Sequence, residues 1–334
     1  MIRLAVDIHG GDQGPAVIIP AVLAFLERHS DVHVTLFGDT AENKAWQAIE
    51  SHADTPRLQW QHGRHYPASA LSLRQLLAEP ASDDALHRLL REHQQGRSDA
   101  VVSAADTRTL LLRCRQVLGL QPGIRRPALG AWLPALTGQV LVLDAGASVA
   151  PRPDDLIRLA QIGHEYLQAR QYRQKPRVGL LNIGTEDSKA RQRLGAVARA
   201  LAVDDRLDYR GYVEPAHLFA HQVDLVVTDG FSGNIMLKSM EASVDFARQR
   251  LTEVLTEHWH GRLLGLLMSA LYRRRLRALS PEAHNGAPLL GVRGWVVKSH
   301  GSAGIEAFGQ ALEQARQQVR SGVPEQLLKP GSSG

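Results

Sequence analysis

The sequence predicts an α/β protein in which a mainly parallel sheet has helices on both faces. Short apolar runs alternate with longer amphipathic stretches along nearly all of the 334 residues. This alternation is typical of parallel strands joined by crossover helices. Several apolar runs end in polar, glycine-rich loops, and open α/β sheets place their ligands at such strand ends.

Ten apolar runs predict strands, and three amphipathic stretches are the clearest helices between them. We expect one domain over residues 1–329, with 330–334 as a flexible tail or a remnant of the expression vector. The predicted strands are Ile2–Ile8, Val32–Phe37, Leu58–Gln61, Ala100–Ser103, Leu129–Leu133, Val140–Leu143, Val178–Asn182, Leu207–Val213, Leu225–Thr228 and Gly294–Val297. The predicted helices are Ala16–Arg28, Asp155–Gln171 and Ser188–Ala202.

Composition excludes several classes of function. Aromatic residues are only 5% of the chain, which disfavours a base-stacking nucleic-acid surface. The single cysteine, Cys114, excludes an internal disulfide and a cysteine-rich metal site. The formal charge of +5 favours acidic partners such as phosphate compounds, an acidic carrier protein or anionic lipid. The chain begins directly with a strand pattern and has no apolar run of about 20 residues, so we expect a cytoplasmic protein.

Residues 259–280 differ from the rest of the chain and predict a protruding helical hairpin. An apolar cluster is followed at once by a basic block, which is the chemistry of an interfacial membrane contact. Packing on a dimer partner, with solvated arginines, explains the same pattern. The candidate membrane residues are Leu263, Leu264, Leu267, Met268, Leu271, Arg273, Arg274 and Arg275.

The most informative loop follows the predicted strand that ends near Asp229. Ser232, Gly233 and Asn234 stand where a long helix pattern begins. The first turn of a helix leaves backbone N–H groups available to an anion. A plain strand-to-helix connection, with a polar cap, is the simpler explanation of this one loop.

Five further strand ends carry residues of the same kind, and together they predict one ligand-binding cleft. Paired glycines allow backbone N–H groups to approach an anion, and a lysine can neutralise a phosphoryl or acyl oxygen. The candidates are Gly10, Gly11 and Asp12, then Ser103, Asp106 and Thr107, then Asp144, then Glu186 and Lys189, and finally His300 and Gly301.

With these motifs in this order, the chain resembles the phosphate acyltransferases of bacterial phospholipid synthesis (PlsX type). The resemblance runs from Ile2 to about Val319. It is carried by Asp7–Pro15 (DIHGGDQGP), Leu180–Lys189 (LLNIGTEDSK), Thr228–Lys238 (TDGFSGNIMLK), Asn285–Gly291 (NGAPLLG) and Val296–Gly304 (VVKSHGSAG), with Gly123–Leu129 (GIRRPAL) also similar.

The resemblance implies a three-layer αβα fold, similar to phosphotransacetylases and isocitrate-dehydrogenase-like enzymes. It implies conversion of acyl-[acyl carrier protein] and inorganic phosphate to acyl phosphate, with no cofactor and no metal. It further implies a homodimer that sits peripherally on the inner face of the cell membrane. Lys189 and Asn234 match family positions that would position phosphate and stabilise the oxyanion, and the other loop residues would shape the pocket.

The chain departs from the family pattern mainly after its fourth predicted strand. Ala105 stands for a glycine and Asp106 for an asparagine, while Ser148 replaces another asparagine. Two anions about 4 Å apart repel by roughly 1 kcal/mol in water, so Asp106 is expected to weaken phosphate binding unless Arg108 or another cation compensates.

Three other functions stay open. A divergent paralogue could keep the scaffold and act as a membrane-associated binding protein without catalysis. Transfer from a coenzyme A thioester is a second alternative. A nicotinamide dehydrogenase is disfavoured, because no Gly-x-Gly-x-x-Gly follows a strand.

Overall fold

A computed structural model describes residues 1–39, 56–66, 83–184, 194–257 and 281–322, together with Ser72, Arg74, Gln75 and Ala78. Within these residues the strands are β1 (Ile2–Asp7), β2 (Val32–Gly38), β3 (Leu58–His62), β4 (Ala100–Ser103), β5 (Ala128–Pro134), β6 (Gln139–Leu143), β7 (Arg177–Leu181), β8 (Asp208–Val213), β9 (Leu225–Val227), β10 (Ala287–Leu290) and β11 (Val296–Lys298). The α-helices are α1 (Pro15–Arg28), α2 (Ala85–Gln94), α3 (Thr107–Val117), α4 (Pro153–Ala169), α5 (Gly195–Ala202), α6 (Pro215–Phe219), α7 (Gly230–Glu257) and α8 (Ile305–Arg320).

The strands form one mixed sheet in the order β3-β2-β1-β4-β11-β10-β5-β6-β9-β7-β8. Most neighbours are parallel, whereas β10 is antiparallel to both β11 and β5, and β5 is antiparallel to β6. The last two strands of the chain lie between β4 and β5, so early and late segments share the same sheet. The prediction of a mainly parallel sheet is confirmed.

Helices cover both faces because successive side chains of a strand point to opposite sides. In β1, Leu4 and Val6 belong to the core packed under α1 and α8, whereas Ala5 belongs to the core under α2 and α3. All three residues are almost fully buried, as expected for a strand covered on both sides. The three-layer arrangement is therefore confirmed.

The sequence missed β10; it predicted the start of β11 two residues too early and its end one residue too early. Ala287–Leu290 is short and contains Pro288, which weakens a strand pattern. β11 ends at Lys298 rather than Val297, so that lysine lies at the carboxyl edge of the sheet. The predicted hairpin at 259–280 and the first part of the predicted helix from Ser188 lie outside the described residues.

Cys114 lies on α3 and is fully buried in the core, where burial raises the pKa of its thiol. None of the helices described is both long and apolar enough to cross a bilayer.

Candidate active site

A cleft of about 1850 Å³ opens at the carboxyl ends of the parallel strands β1, β4 and β11. The loops that follow these strands form one side, and β5 with the first half of α7 forms the other. Nine of the residues predicted from sequence line this cleft, although they come from four separate segments. They are Gly10, Gly11, Asp12, Asp106, Thr107, Ser232, Asn234, His300 and Gly301.

The other predicted residues have different positions. Ser103, Asp144, Asp229 and Gly233 lie behind the surface of the cleft and do not line it. Glu186 and Lys189 lie outside the described residues, as do all the candidate membrane residues between Leu263 and Arg275.

Asp7, which lines the cleft, and Ser103 behind it hold two of the loops together. Asp7 is buried; one of its carboxylate oxygens accepts from the His9 N–H at 3.0 Å. The other oxygen accepts from Ser103 Oγ at 2.7 Å, and Ser103 Oγ in turn accepts from the Ala105 N–H at 3.0 Å. The Ser103 hydroxyl is thereby occupied with the loop that carries Asp106.

The paired glycines serve close backbone packing. A Cβ at Gly10 would come within 2.5 Å of the Ala105 nitrogen. Gly11 has a φ of +83°, and a Cβ there would lie 2.7 Å from the Gly301 carbonyl oxygen. That oxygen accepts from the Asp12 N–H at 2.8 Å. Only glycine at these two positions lets the three loops meet.

Asp144 has the largest set of hydrogen bonds near the cleft, and all of them are internal. One oxygen accepts from the N–H groups of Leu129, Gly146 and Ala147 at 2.9–3.1 Å. The second accepts from the N–H and hydroxyl of Ser148 at 2.7 and 2.8 Å. Burial raises the pKa of this carboxyl, and the donors act in the opposite direction. Asp144 therefore organises its loop and has no free oxygen for a ligand.

The backbone of this loop also sits against the start of α7. A Cβ at Gly233 would lie 2.0 Å from the Asp144 carbonyl oxygen, and one at Gly230 would lie 2.5 Å from that of Ser148. Gly233 therefore contributes close packing beneath the cleft.

Two helix N-termini predicted as anion sites already carry their own aspartate caps. The Asp106 carboxylate accepts from the Thr109 N–H at 3.1 Å at the start of α3. The Asp229 carboxylate accepts from the Ser232 N–H at 2.8 Å and its hydroxyl at 3.1 Å at the start of α7. These helix ends offer fewer amides to an anion than the sequence suggested, and the capping interpretation explains both aspartates.

His300 faces the cleft in a hydrogen-bonded chain. Its Nε2 lies 3.0 Å from Lys238 Nζ, and its Nδ1 lies 2.8 Å from Ser302 Oγ. Because an ammonium can only donate, Nε2 accepts from Lys238, and the backbone N–H of Ser302 points to Nδ1 at 3.3 Å. Burial, with the positive charge of Lys238, lowers the pKa of His300, so the ring is neutral near pH 7. Lys238 also pairs with Glu241 at 2.7 Å.

Asn234 presents an amide at the opposite side of the cleft. A Cβ at Gly146 would lie 3.5 Å from the Asn234 side chain, and the φ of +135° at Gly146 suits glycine. Asn234 is exposed on α7 and has no hydrogen-bond partner among the residues that the structure describes. Its donor and acceptor groups are available to a bound molecule.

Lys298 is the main cleft residue to which the sequence reasoning gave no role. Its Nζ donates to the backbone oxygens of Ala105 at 3.0 Å and Ser299 at 2.9 Å. Burial lowers its pKa to about 8, with a raising effect of Asp106 and a lowering effect of Lys238. Lys298 lies in the motif VVKSHGSAG, from which the sequence predicted only His300 and Gly301 as site residues. A strand boundary one residue later would have placed Lys298 at the sheet edge.

Part of the cleft lining is apolar, and the sequence did not locate it. β5 and the first half of α7 supply most of its surface, together with the end of α6. We call this surface the apolar wall; it comprises Leu133, Leu136, Phe219, Ile235 and Met240.

Among the described residues, no group of three or more His, Cys, Asp or Glu side chains is placed to hold a metal ion.

The sequence model of the family described as "Fatty acid synthesis protein" matches residues 2–326. The chain belongs to this family. It is 35% identical to a phosphate acyltransferase of Alcanivorax borkumensis over 340 aligned positions, which cover 99% of each chain. It is 37% identical to a phosphate acyltransferase of Chromobacterium violaceum, with 96% of this chain and 93% of that one covered.

Solved structures of low sequence identity share the fold of this fatty acid synthesis family member. A branched-chain phosphotransacylase from Enterococcus faecalis superposes with a TM-score of 0.59 at 17% identity, covering 96% of this chain and all of that one. A phosphotransacetylase from Streptococcus pyogenes gives 0.59 at 15% identity, covering 96% and 94%.

Proposed function

We propose that the protein transfers an acyl group from acyl-[acyl carrier protein] to inorganic phosphate, yielding acyl phosphate for phospholipid synthesis. Full-length similarity to proteins named phosphate acyltransferase supports this reaction. The observation that carries it is a single cleft with a polar, cationic end and an apolar wall. An acyl thioester and a phosphate require both surfaces side by side.

The reaction needs no covalent enzyme intermediate. A phosphate oxygen attacks the thioester carbonyl, the C–S bond breaks, and the phosphate proton ends on the departing thiol. The protein holds the two reactants together and stabilises the negative charge that develops on the carbonyl oxygen. Asn234, whose amide has no partner within the described part of the chain, would donate to that oxygen. Lys189 remains part of this proposal from sequence, next to the phosphate.

The apolar wall would hold the acyl chain. Ile235 and Phe219 are about half exposed, and Leu136 is 86% exposed. Exposed apolar side chains grouped along one side of a cleft mark a binding surface for an apolar ligand. Burial of the chain there would remove apolar area from water on both partners.

We further propose a homodimer that associates peripherally with the inner face of the cell membrane. The second half of α7 stands in solvent, with Phe246, Leu251 and Val254 exposed along it. A helix with exposed apolar residues suits a second copy of the chain, and residues 259–280 follow it directly. The leucines and arginines of that segment, such as Leu267 and Arg274, would contact anionic lipid.

The first experiment measures acyl phosphate formed from long-chain acyl-[acyl carrier protein] and inorganic phosphate. Turnover by the unmodified protein is the expected result. A folded protein that gives no product, alone or as Asp106→Asn, would instead support the non-catalytic paralogue. Turnover only after Asp106→Asn would mean that one carboxylate disables the site.

Flotation with phosphatidylglycerol vesicles tests the membrane proposal. Replacing Arg273, Arg274 and Arg275 by glutamate is expected to abolish binding to the vesicles. Unchanged binding of the triple variant would rule out this segment as the membrane contact. Sedimentation of Phe246→Glu tests the dimer, which is expected to dissociate into monomers.

A further inference from the structure

Lys298 occupies the position that an anion-binding group needs. It is the last residue of β11, so its side chain starts at the sheet edge where the three loops meet. Two of its three ammonium hydrogens go to the backbone oxygens of Ala105 and Ser299. These bonds fix the position of the charge and leave one donor toward the cleft that Lys298 lines.

The ammonium lacks a counter-ion among the described residues. No carboxylate there lies within ion-pair distance of Lys298, in contrast to Lys238, which pairs with Glu241. A partly buried charge such as that of Lys298 is stabilised by a partner of opposite sign. A bound anion would supply that partner.

We propose that Lys298 binds the attacking phosphate, and that Asp106 acts through Lys298 by keeping it protonated while the cleft is empty. This assignment rests on the proposed function, since it names the residue that holds one of its two reactants. Asp106, which stands where the family has an asparagine, is thus a positioning residue that acts on the charge of Lys298 at the end of β11.

The groups facing Lys298 come from three elements. Asp106 in the loop before α3 attracts its charge, whereas Lys238 on α7 repels it. His300 follows in the same loop with a lowered pKa, and the charge of Asp12 after β1 acts on the pKa of His300 rather than on that of Lys298. Asp106 is therefore the carboxylate through which the charge of Lys298 can be tuned.

The sign of the pH dependence follows from the lowered pKa. Lys298 binds an anion only when protonated, and its pKa in the empty cleft is about 8. Phosphate affinity should therefore be constant at lower pH and fall about tenfold for each pH unit above this pKa. Removing the Asp106 charge lowers the pKa of Lys298 further, so the fall should begin at a lower pH.

The test is calorimetric titration of the full chain with inorganic phosphate between about pH 7 and 10. Lys298→Met should weaken phosphate binding by about 10- to 100-fold at pH 7. It should also remove the break in the pH profile, which is the pH at which phosphate affinity begins to fall. Lys298→Arg keeps its charge throughout this range and should bind without a break. Lys175→Met is the matched control, because that exposed lysine also donates to a backbone oxygen, that of Asp205, away from the cleft.

Asp106→Asn separates two roles of the carboxylate. If it acts through Lys298, the break moves to lower pH; if it only repels phosphate, the whole curve rises and the break stays. If phosphate affinity begins to fall at the same pH in Asp106→Asn as in the wild type, the proposed role of Asp106 is wrong. Wild-type affinity in a folded Lys298→Met, or a break that persists in it, overturns the role of Lys298.

Turnover distinguishes this proposal from the proposed function. If the unmodified protein makes acyl phosphate and Lys298→Met keeps the same KM for phosphate, only the assignment of Lys298 fails. If the unmodified protein neither binds phosphate nor forms product, both fail. Circular dichroism of each variant checks that the fold is retained.

Discussion

Both sides of the cleft contain an aspartate that accepts from a serine hydroxyl and a second aspartate that caps a helix, but the two sides differ in their hydrogen bonding. On one side Asp7 ends β1, accepts from the Ser103 hydroxyl and lies beneath a loop whose Asp106 caps α3. On the other side Asp144 follows β6, accepts from the Ser148 hydroxyl and lies beneath Asp229, which caps α7. Each side also brings a glycine into close contact with the neighbouring backbone.

Asp7 and Asp144 differ in the number of hydrogen bonds that their carboxylates accept. Asp144 accepts five hydrogen bonds, whereas two are found for Asp7 among the described residues. The Asp7 side adds the partly buried cation Lys298, and the Asp144 side adds the amide of Asn234, for which the described residues offer no hydrogen-bond partner. The conspicuous aspartates thus build the loops, and the groups available to a ligand are their neighbours.

The largest expected effect follows from this difference in the number of hydrogen bonds. Asp144→Ala leaves five donors without their acceptor and should lower the free energy of unfolding by about 4 kcal/mol or more. Asp7→Ala should have a smaller effect, because it frees only two donors. Urea unfolding followed by circular dichroism measures both. Equal losses for the two variants would contradict the comparison.

The control for these variants is Asp208→Ala. Asp208 pairs with Arg210 at the protein surface, with the arginine side chain half exposed. Its loss should change the free energy of unfolding by less than about 0.5 kcal/mol.

The next effect concerns catalysis on the Asp144 side. Asn234→Ala removes the proposed donor to the oxyanion and should reduce kcat by about 100-fold, or roughly 3 kcal/mol, with no loss of folding. Gln310→Ala removes an exposed side-chain amide on α8, outside the cleft, and should leave kcat unchanged. Steady-state assay of acyl phosphate formation decides this, and full activity in Asn234→Ala would remove the residue from the mechanism.

The smallest effects concern the helix cap on the Asp7 side. Asp106→Ala loses the bond to the Thr109 N–H and should lower the free energy of unfolding by about 1 kcal/mol. Asp106→Asn should be nearly neutral, because asparagine caps helices equally well. Similar melting temperatures of the wild type and both variants would indicate that this cap contributes little.

Much of the fold was accessible from local pattern. Nine of the ten predicted strands overlap an observed strand by most of their length, since burial on both faces selects continuous apolar runs. The tenth, Gly294–Val297, was displaced toward the amino terminus, and β10 was missed because it is short and contains proline. Strand order was not accessible, because pairing of β4 with β11 joins residues nearly 200 positions apart.

By itself, the sequence determined the layered α/β class, the strand-end loops and the family resemblance, because periodicity and short motifs are local properties. Only the tertiary structure decided which loop residues are free. In the structure, Ser103, Asp144 and Asp229 make internal hydrogen bonds. Asn234 makes none with the described residues and is available to a ligand. It also placed the partly buried Lys298 near Asp106, since insertion of β11 next to β4 brings the ends of the two strands together. Hydrogen-bond satisfaction and burial depend on contacts between distant segments, and no local pattern contains them.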